Sequence, residues 1–124
     1  MLKYVKFVEL PVADQDRAVA FYVEKLGFEI IQDAPYQDNW RWIELELPGA
    51  QTRILLSRRR EGAASDGPRL VFVADDVDAT YRQLMDRDVN FVSAPSEASW
   101  QPGQRFAQFR DSEGNTIVIT GPVR

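Results

Sequence analysis

The chain has 124 residues, 44% hydrophobic and 27% charged, the make-up of one globular domain that buries about two-thirds of its unfolded surface, so disorder is excluded. Its formal net charge of -4 argues against nucleic acid, whose phosphates call for a positive surface, and suits a cationic ligand better. With no cysteine and no histidine, the chain has no disulfide, thiol nucleophile, thiolate or imidazole metal site, or imidazole base.

Absent cysteine also fits a reducing cytoplasm. The opening MLKYVKFVEL lacks the apolar core of a signal peptide, and no apolar run approaches the roughly 18 residues of a membrane helix. A cytoplasmic chain without a membrane partner is expected.

From Lys6 the sequence KFVELPV alternates as a strand, with Val8, Leu10 and Val12 on one face and Phe7 and Glu9 on the other. Asp14 can cap a following helix, QDRAVAFYVEKL, whose Ala18, Phe21, Tyr22 and Leu26 share a face and which Gly27 ends. FEIIQD, NWRWIELEL and QTRILLSR then read as three strands, the last two around the turn PGA. The first half is therefore βαβββ, a module over about residues 1–57. A polar, glycine-containing linker follows at about 58–67. In it the run Arg58 to Arg60 is the one basic cluster, either a solvated loop or an anion contact.

The pattern then restarts in a second module over about 68–124. RLVFVA is a strand, Asp76 stands where Asp14 stood, and VDATYRQLMDRD sets Val77, Tyr81, Leu84 and Met85 on one helical face. NFVSA, QRFAQFRD and NTIVIT complete three strands, with SEGN as the last turn. Val8/Leu70, Leu10/Phe72, Val12/Ala74, Asp14/Asp76 and Asp16/Asp78 correspond at a constant offset, and Arg41 aligns with Arg105, so the chain is an internal repeat.

A repeated βαβββ unit with VADQDRAVAFYVEKLGFE in its first half and FRDSEGNTIVI at its end resembles the vicinal oxygen chelate superfamily of glyoxalases, extradiol dioxygenases, fosfomycin-modifying enzymes and bleomycin-resistance proteins. The resemblance covers nearly the whole chain. It implies an α+β fold in which two βαβββ modules form a curved mixed sheet around a cleft, with the helices on the convex face. It implies a homodimer, and it turns Phe7 and Glu9 toward the cleft. In metal-dependent members four strands offer His, Glu or Gln to a divalent ion that acts as a Lewis acid. Those positions fall here at Phe7, Arg69, Val118 and either Ile54 or Leu55. None offers the family's donor, so no metal or cofactor is expected.

Cleft candidates follow from the third strand, where Trp42, Glu44 and Glu46 alternate with Ile43, Leu45 and Leu47. Two arrangements satisfy the carboxylates, since a lone buried charge costs too much. With Glu9 they line an acidic, aromatic pocket for a cationic or polar aromatic molecule. Otherwise they pair across strands with Arg41, Arg53, Arg105 or Arg110. Glu9 leans toward the first arrangement because its strand is expected to be central. Arg69 puts a fixed positive charge in the cleft, for an ion pair or a ligand anion. Trp40 and Trp100 sit in the loops YQDNW and SEASWQPGQ as ligand anchors or packing residues, and Phe106 joins the lining.

The leading reading is metal-independent binding of a small molecule, in the manner of bleomycin resistance, sequestering a cationic or aromatic drug or metabolite. One alternative is a lyase or isomerase of the same superfamily with Glu9 or Glu44 as general base. Another is a regulatory or interaction domain with a vestigial cleft, presenting the Trp40 and Trp100 surfaces.

Overall fold

A computed structural model describes residues 1–60 and 67–124. Each of these stretches forms a compact unit. Part of the expected linker, residues 61–66, lies outside the described residues.

The first unit runs β1 (Phe7–Val12), α1 (Gln15–Ala20, continued by a π-helical turn Phe21–Lys25), β2 (Glu29–Gln37), β3 (Trp40–Glu46) and β4 (Arg53–Arg58). The second runs β5 (Leu70–Val73), α2 (Val77–Asp86), β6 (Asn90–Glu97), β7 (Gln104–Arg110) and β8 (Thr116–Pro122). The sheets have the same plan, β1-β4-β3-β2 and β5-β8-β7-β6. In each, the first strand runs parallel to the last and the other pairings are antiparallel. This is the βαβββ repeat expected from the sequence, in an α+β fold.

The helices start as their caps dictate. The Asp14 carboxylate accepts the Arg17 N–H at 3.0 Å, and that of Asp76 accepts the Ala79 N–H at 3.1 Å. Each satisfies a donor that the first helical turn leaves unpaired. At the far end of the first helix, Gly27 takes φ of 82°, open to glycine at little cost, while after α2 the same duty falls to Asp88 at 61°. The repeat also carries a matched ion pair. Arg41 Nη2 lies 2.7 Å from Asp16, and Arg105 forms a two-pronged bridge to Asp78 at 2.8 and 2.9 Å. Each ties the first turn of a helix to the third strand of its sheet.

On the helix-covered face of the first sheet, Leu10, Val12, Ile43 and Leu45 are fully buried with Ala18 and Tyr22 of the helix. At the helix start, Gln15 is buried as well. Its amide donates to the carbonyls of Arg41 (2.8 Å) and Leu56 (3.1 Å), and its oxygen accepts the Arg41 N–H (3.1 Å). One side chain thus fastens α1 to both β3 and β4. In the second unit Val77 and Leu84 of α2 are buried, as are Ala107, Phe109, Ile117 and Ile119 of β7 and β8. Gly121 allows β8 to pass close to the chain, since a Cβ there would collide with the Ala74 carbonyl.

Several expectations need correction. Val8 is 37% exposed and Met85 46% exposed, so neither joins the core face assigned to it. β1 is an edge strand of its sheet rather than a central one. β2 continues to Gln37 and turns directly into β3 through Asp38 and Asn39, whose φ values of 49° and 59° give a tight two-residue hairpin turn in place of the expected loop. Trp40 therefore begins a strand. The strands read as FEIIQD and NFVSA run further than expected, β2 through Pro35 and β6 through Pro95. The strands are edges of their sheets with register shifts there, where a missing N–H is tolerated. Arg58 ends β4 instead of opening the linker.

Candidate functional site

Cross-strand register sorts the side chains of the first sheet by face. Phe7 pairs with Arg53, Glu9 with Leu55, and Leu55 with Glu44. Directly opposed residues share a face, so Phe7, Glu9, Arg53, Leu55, Trp42, Glu44 and Glu46 all lie on the side away from α1.

At its centre is a polar chain that the sequence left open. Glu44 is buried, at 3% exposure. It accepts the Trp42 indole N–H at 2.7 Å and Arg53 Nη1 at 3.0 Å. Arg53 Nε reaches Glu46 at 3.0 Å. The alternative of cross-strand pairing is therefore the one present for Glu44 and Glu46, and Arg53 alone among the four candidate arginines serves them. Arg41 is engaged by Asp16 and Asp33, Arg105 by Asp78, and Arg110 by the Gly114 carbonyl. The Trp42 hydrogen bond, reinforced by Arg53, holds the Glu44 carboxyl below the usual carboxylate range despite its burial. Paired with Glu44 first and Glu46 second, the Arg53 guanidinium is held above its ordinary value.

Beside this chain lies an aromatic group. Trp42 meets Phe7 edge-on at 5.8 Å and Tyr36 at 5.2 Å. Phe7 and Trp42 are half-buried and Tyr36 is 57% exposed, so ring surface is left open. Next to Arg53 and Glu46 the N-terminal segment and the β3–β4 turn enclose an open cavity of about 410 Å³, lined by Lys3, Tyr4, Lys6, Glu46, Ala50, Gln51 and Arg53. Glu9 is exposed on the same sheet face and does not line this cavity.

The other candidates sit apart. Trp40 is structural: its indole N–H donates to the Leu56 carbonyl at 3.2 Å, and the Arg58 guanidinium covers its ring at 4.9 Å. Arg58, though exposed, also donates to the Asp38 carbonyl at 2.7 Å, so the first residue of the basic run is tethered to the β2–β3 turn. In the second unit Trp100 is 64% exposed and leans on Phe106 at 4.6 Å. Arg69 is exposed just before β5, with its N–H bound to the Thr116 carbonyl at 2.8 Å.

The metal positions of the resemblance can now be placed. Of Ile54 and Leu55, Leu55 shares the face of Phe7, and Val118 is buried on β8. Phe7, Leu55 and Val118 offer only carbon, and Arg69 offers a cation, so this donor set does not fit a divalent ion. Among the described residues no group of three or more acidic side chains could hold one. Likewise, no described helix is long and apolar enough to cross a membrane.

Sequence pattern missed Gln15 and the double role of Arg53. Only the β3–β4 register reveals that one arginine reaches two glutamates.

Fold and site together define a small α+β protein with a half-open aromatic face built around hydrogen-bonded carboxylates. The chain belongs to the glyoxalase/bleomycin resistance protein/dioxygenase superfamily, whose family pattern matches residues 4–119. A superfamily member from Sphaerobacter thermophilus DSM 20745 superposes with a TM-score of 0.84 at 32% identity, over 97% of this chain and 98% of that one. TnmS3, an antibiotic binding protein from Streptomyces sp. CB03234, superposes with a TM-score of 0.83 at 32% identity over 98% of each chain. The uncharacterized protein YetH of Bacillus subtilis strain 168 is 31% identical over 121 residues, 96% of this chain and 98% of its own.

Proposed function

We propose that this protein binds a small aromatic molecule without a metal, sequestering a drug or metabolite, and that it acts in the cytoplasm as a homodimer. The observation that carries the reading is the Phe7–Trp42–Tyr36 group, whose ring surface lies open beside a charge network already satisfied within the protein. Such a surface offers stacking and edge contacts at little reorganisation cost. Sequestration needs only tight occupancy with slow release. The antibiotic-binding description of TnmS3 supports the same reading.

The lyase or isomerase alternative fits less well. A general base near neutral pH needs a raised carboxylate pKa, and Glu44 is shifted the other way with its oxygens engaged. Glu9 remains as its one exposed candidate. An interaction domain would rest on Trp100, since Trp40 is half-buried with the Arg58 guanidinium over its ring.

A thermal-shift screen of aromatic antibiotics and metabolites, run with chelator present, tests the proposal. Stabilisation by one of them, reduced in Trp42→Ala, is expected. A panel that stabilises only after a divalent metal is added contradicts it.

A further inference from the structure

The acidic composition points to a cationic ligand, but the charges at the site point the other way. Glu44 and Glu46 share the single positive charge of Arg53, and Glu44 also takes the Trp42 indole, so this network is one charge negative and any excess of cations comes from the lysines. What remains at the adjoining cavity is cationic. Lys3 and Lys6 line it with Arg53, against Glu46 as its one acidic lining residue. Even with the buried Glu44 behind it, cations outnumber carboxylates three to two. Among the described residues neither lysine ammonium makes a hydrogen bond or ion pair, though the Lys6 charge also helps to hold the Glu44 carboxyl ionised. The Tyr4 hydroxyl and the Gln51 amide at the same wall add hydrogen-bond donors suited to an anion.

Resting on the small-molecule reading above, we propose that the ligand carries an anionic group, carboxylate, phosphate or sulfonate, seated among Lys3, Lys6 and Arg53, with its aromatic part extending toward Trp42. Arg53 joins the two halves of this site. It lines the cavity and bonds to the carboxylate that holds the Trp42 indole. The guanidinium is thereby fixed in orientation, while the lysines supply mobile charge at the rim.

Three ligands sharing one ring system separate the possibilities: 1-naphthoate, 1-naphthylmethylammonium and uncharged 1-naphthalenemethanol, titrated into the ¹⁵N-labelled protein. Naphthoate is expected to bind at least about tenfold tighter than the ammonium compound, shifting the Lys6, Arg53 and Trp42 resonances, and to weaken severalfold as salt rises to about 0.5 M. The double variant Lys3→Glu, Lys6→Glu, made at exposed positions, is expected to lose about tenfold for naphthoate and to leave 1-naphthalenemethanol unchanged. Equal or tighter binding of the ammonium compound, or unchanged naphthoate binding by the double variant, overturns the anionic ligand while the binding reading stands. If none of the three perturbs this face, both fall.

Discussion

Replacing Arg53 with methionine isolates the interaction on which the site is built. The substitution keeps much of the aliphatic stem and removes the guanidinium that bonds Glu44 and Glu46 at 3.0 Å each. Glu44, with a side chain 4% exposed, is left with the Trp42 N–H as its hydrogen-bond donor. Breaking a fully buried pair costs about 3–5 kcal/mol. Arg53 is 32% exposed and water can partly replace it, so about 2 kcal/mol is the expected loss. For a chain of this length that lowers Tm by roughly 8 °C.

The pH dependence follows from the direction of the Glu44 shift. Its folded pKa lies below the ordinary glutamate value, so its contribution to stability is fully present above the pKa of the unfolded chain and fades as pH falls through the folded pKa. Without Arg53 the burial that opposes ionisation is less well offset, and the acid limb of the stability curve moves to higher pH. Urea unfolding from pH 3 to pH 8 measures both effects. The pair Arg53→Met, Glu44→Gln should recover part of the loss, because no unpaired charge then remains buried. A single variant that loses less than about 0.5 kcal/mol, with an unmoved acid limb, refutes this account of the network.

Other substitutions test the scaffold. Gln15→Leu should destabilise by about 1–3 kcal/mol in urea unfolding, since it strips partners from the Arg41 N–H and the Arg41 carbonyl beneath α1. Gly121→Ala should cost about 1–3 kcal/mol by the same assay, because the new methyl meets the Ala74 carbonyl and lies 3.2 Å from Val77. Asp14→Ala and Asp76→Ala should each cost about 1 kcal/mol, matching the equivalent caps of the two modules.

The repeat was legible because its signals are local. Asp14 and Asp76 each precede a helical pattern, and Leu10 and Val12 alternate as a buried strand must. The Asp16/Asp78 and Arg41/Arg105 correspondences were visible too, but not that they meet, because they are 25 and 27 residues apart in sequence and only sheet register closes that distance. The hairpin between β2 and β3 was obscured by Pro35 and by Asp38–Asn39, which lack the glycine of the commonest turn. At the site, composition was misleading in sign. Three glutamates on two strands look like an acidic pocket until Arg53 is seen to span two of them. Lys3 and Lys6 precede β1, and the alternation that starts at Lys6 says nothing of a cavity beside it.

The central claim, that the open face at Trp42 holds an aromatic molecule and leaves it unaltered, is tested most directly by isothermal titration of the most stabilising compound against the wild type and Trp42→Ala, with mass spectrometry of the compound afterwards. The account predicts an affinity at least about tenfold weaker in the variant, in line with the 1–3 kcal/mol expected of an aromatic contact of this size, and a compound recovered intact. Equal affinity for both proteins, or a compound converted by the wild type, contradicts it.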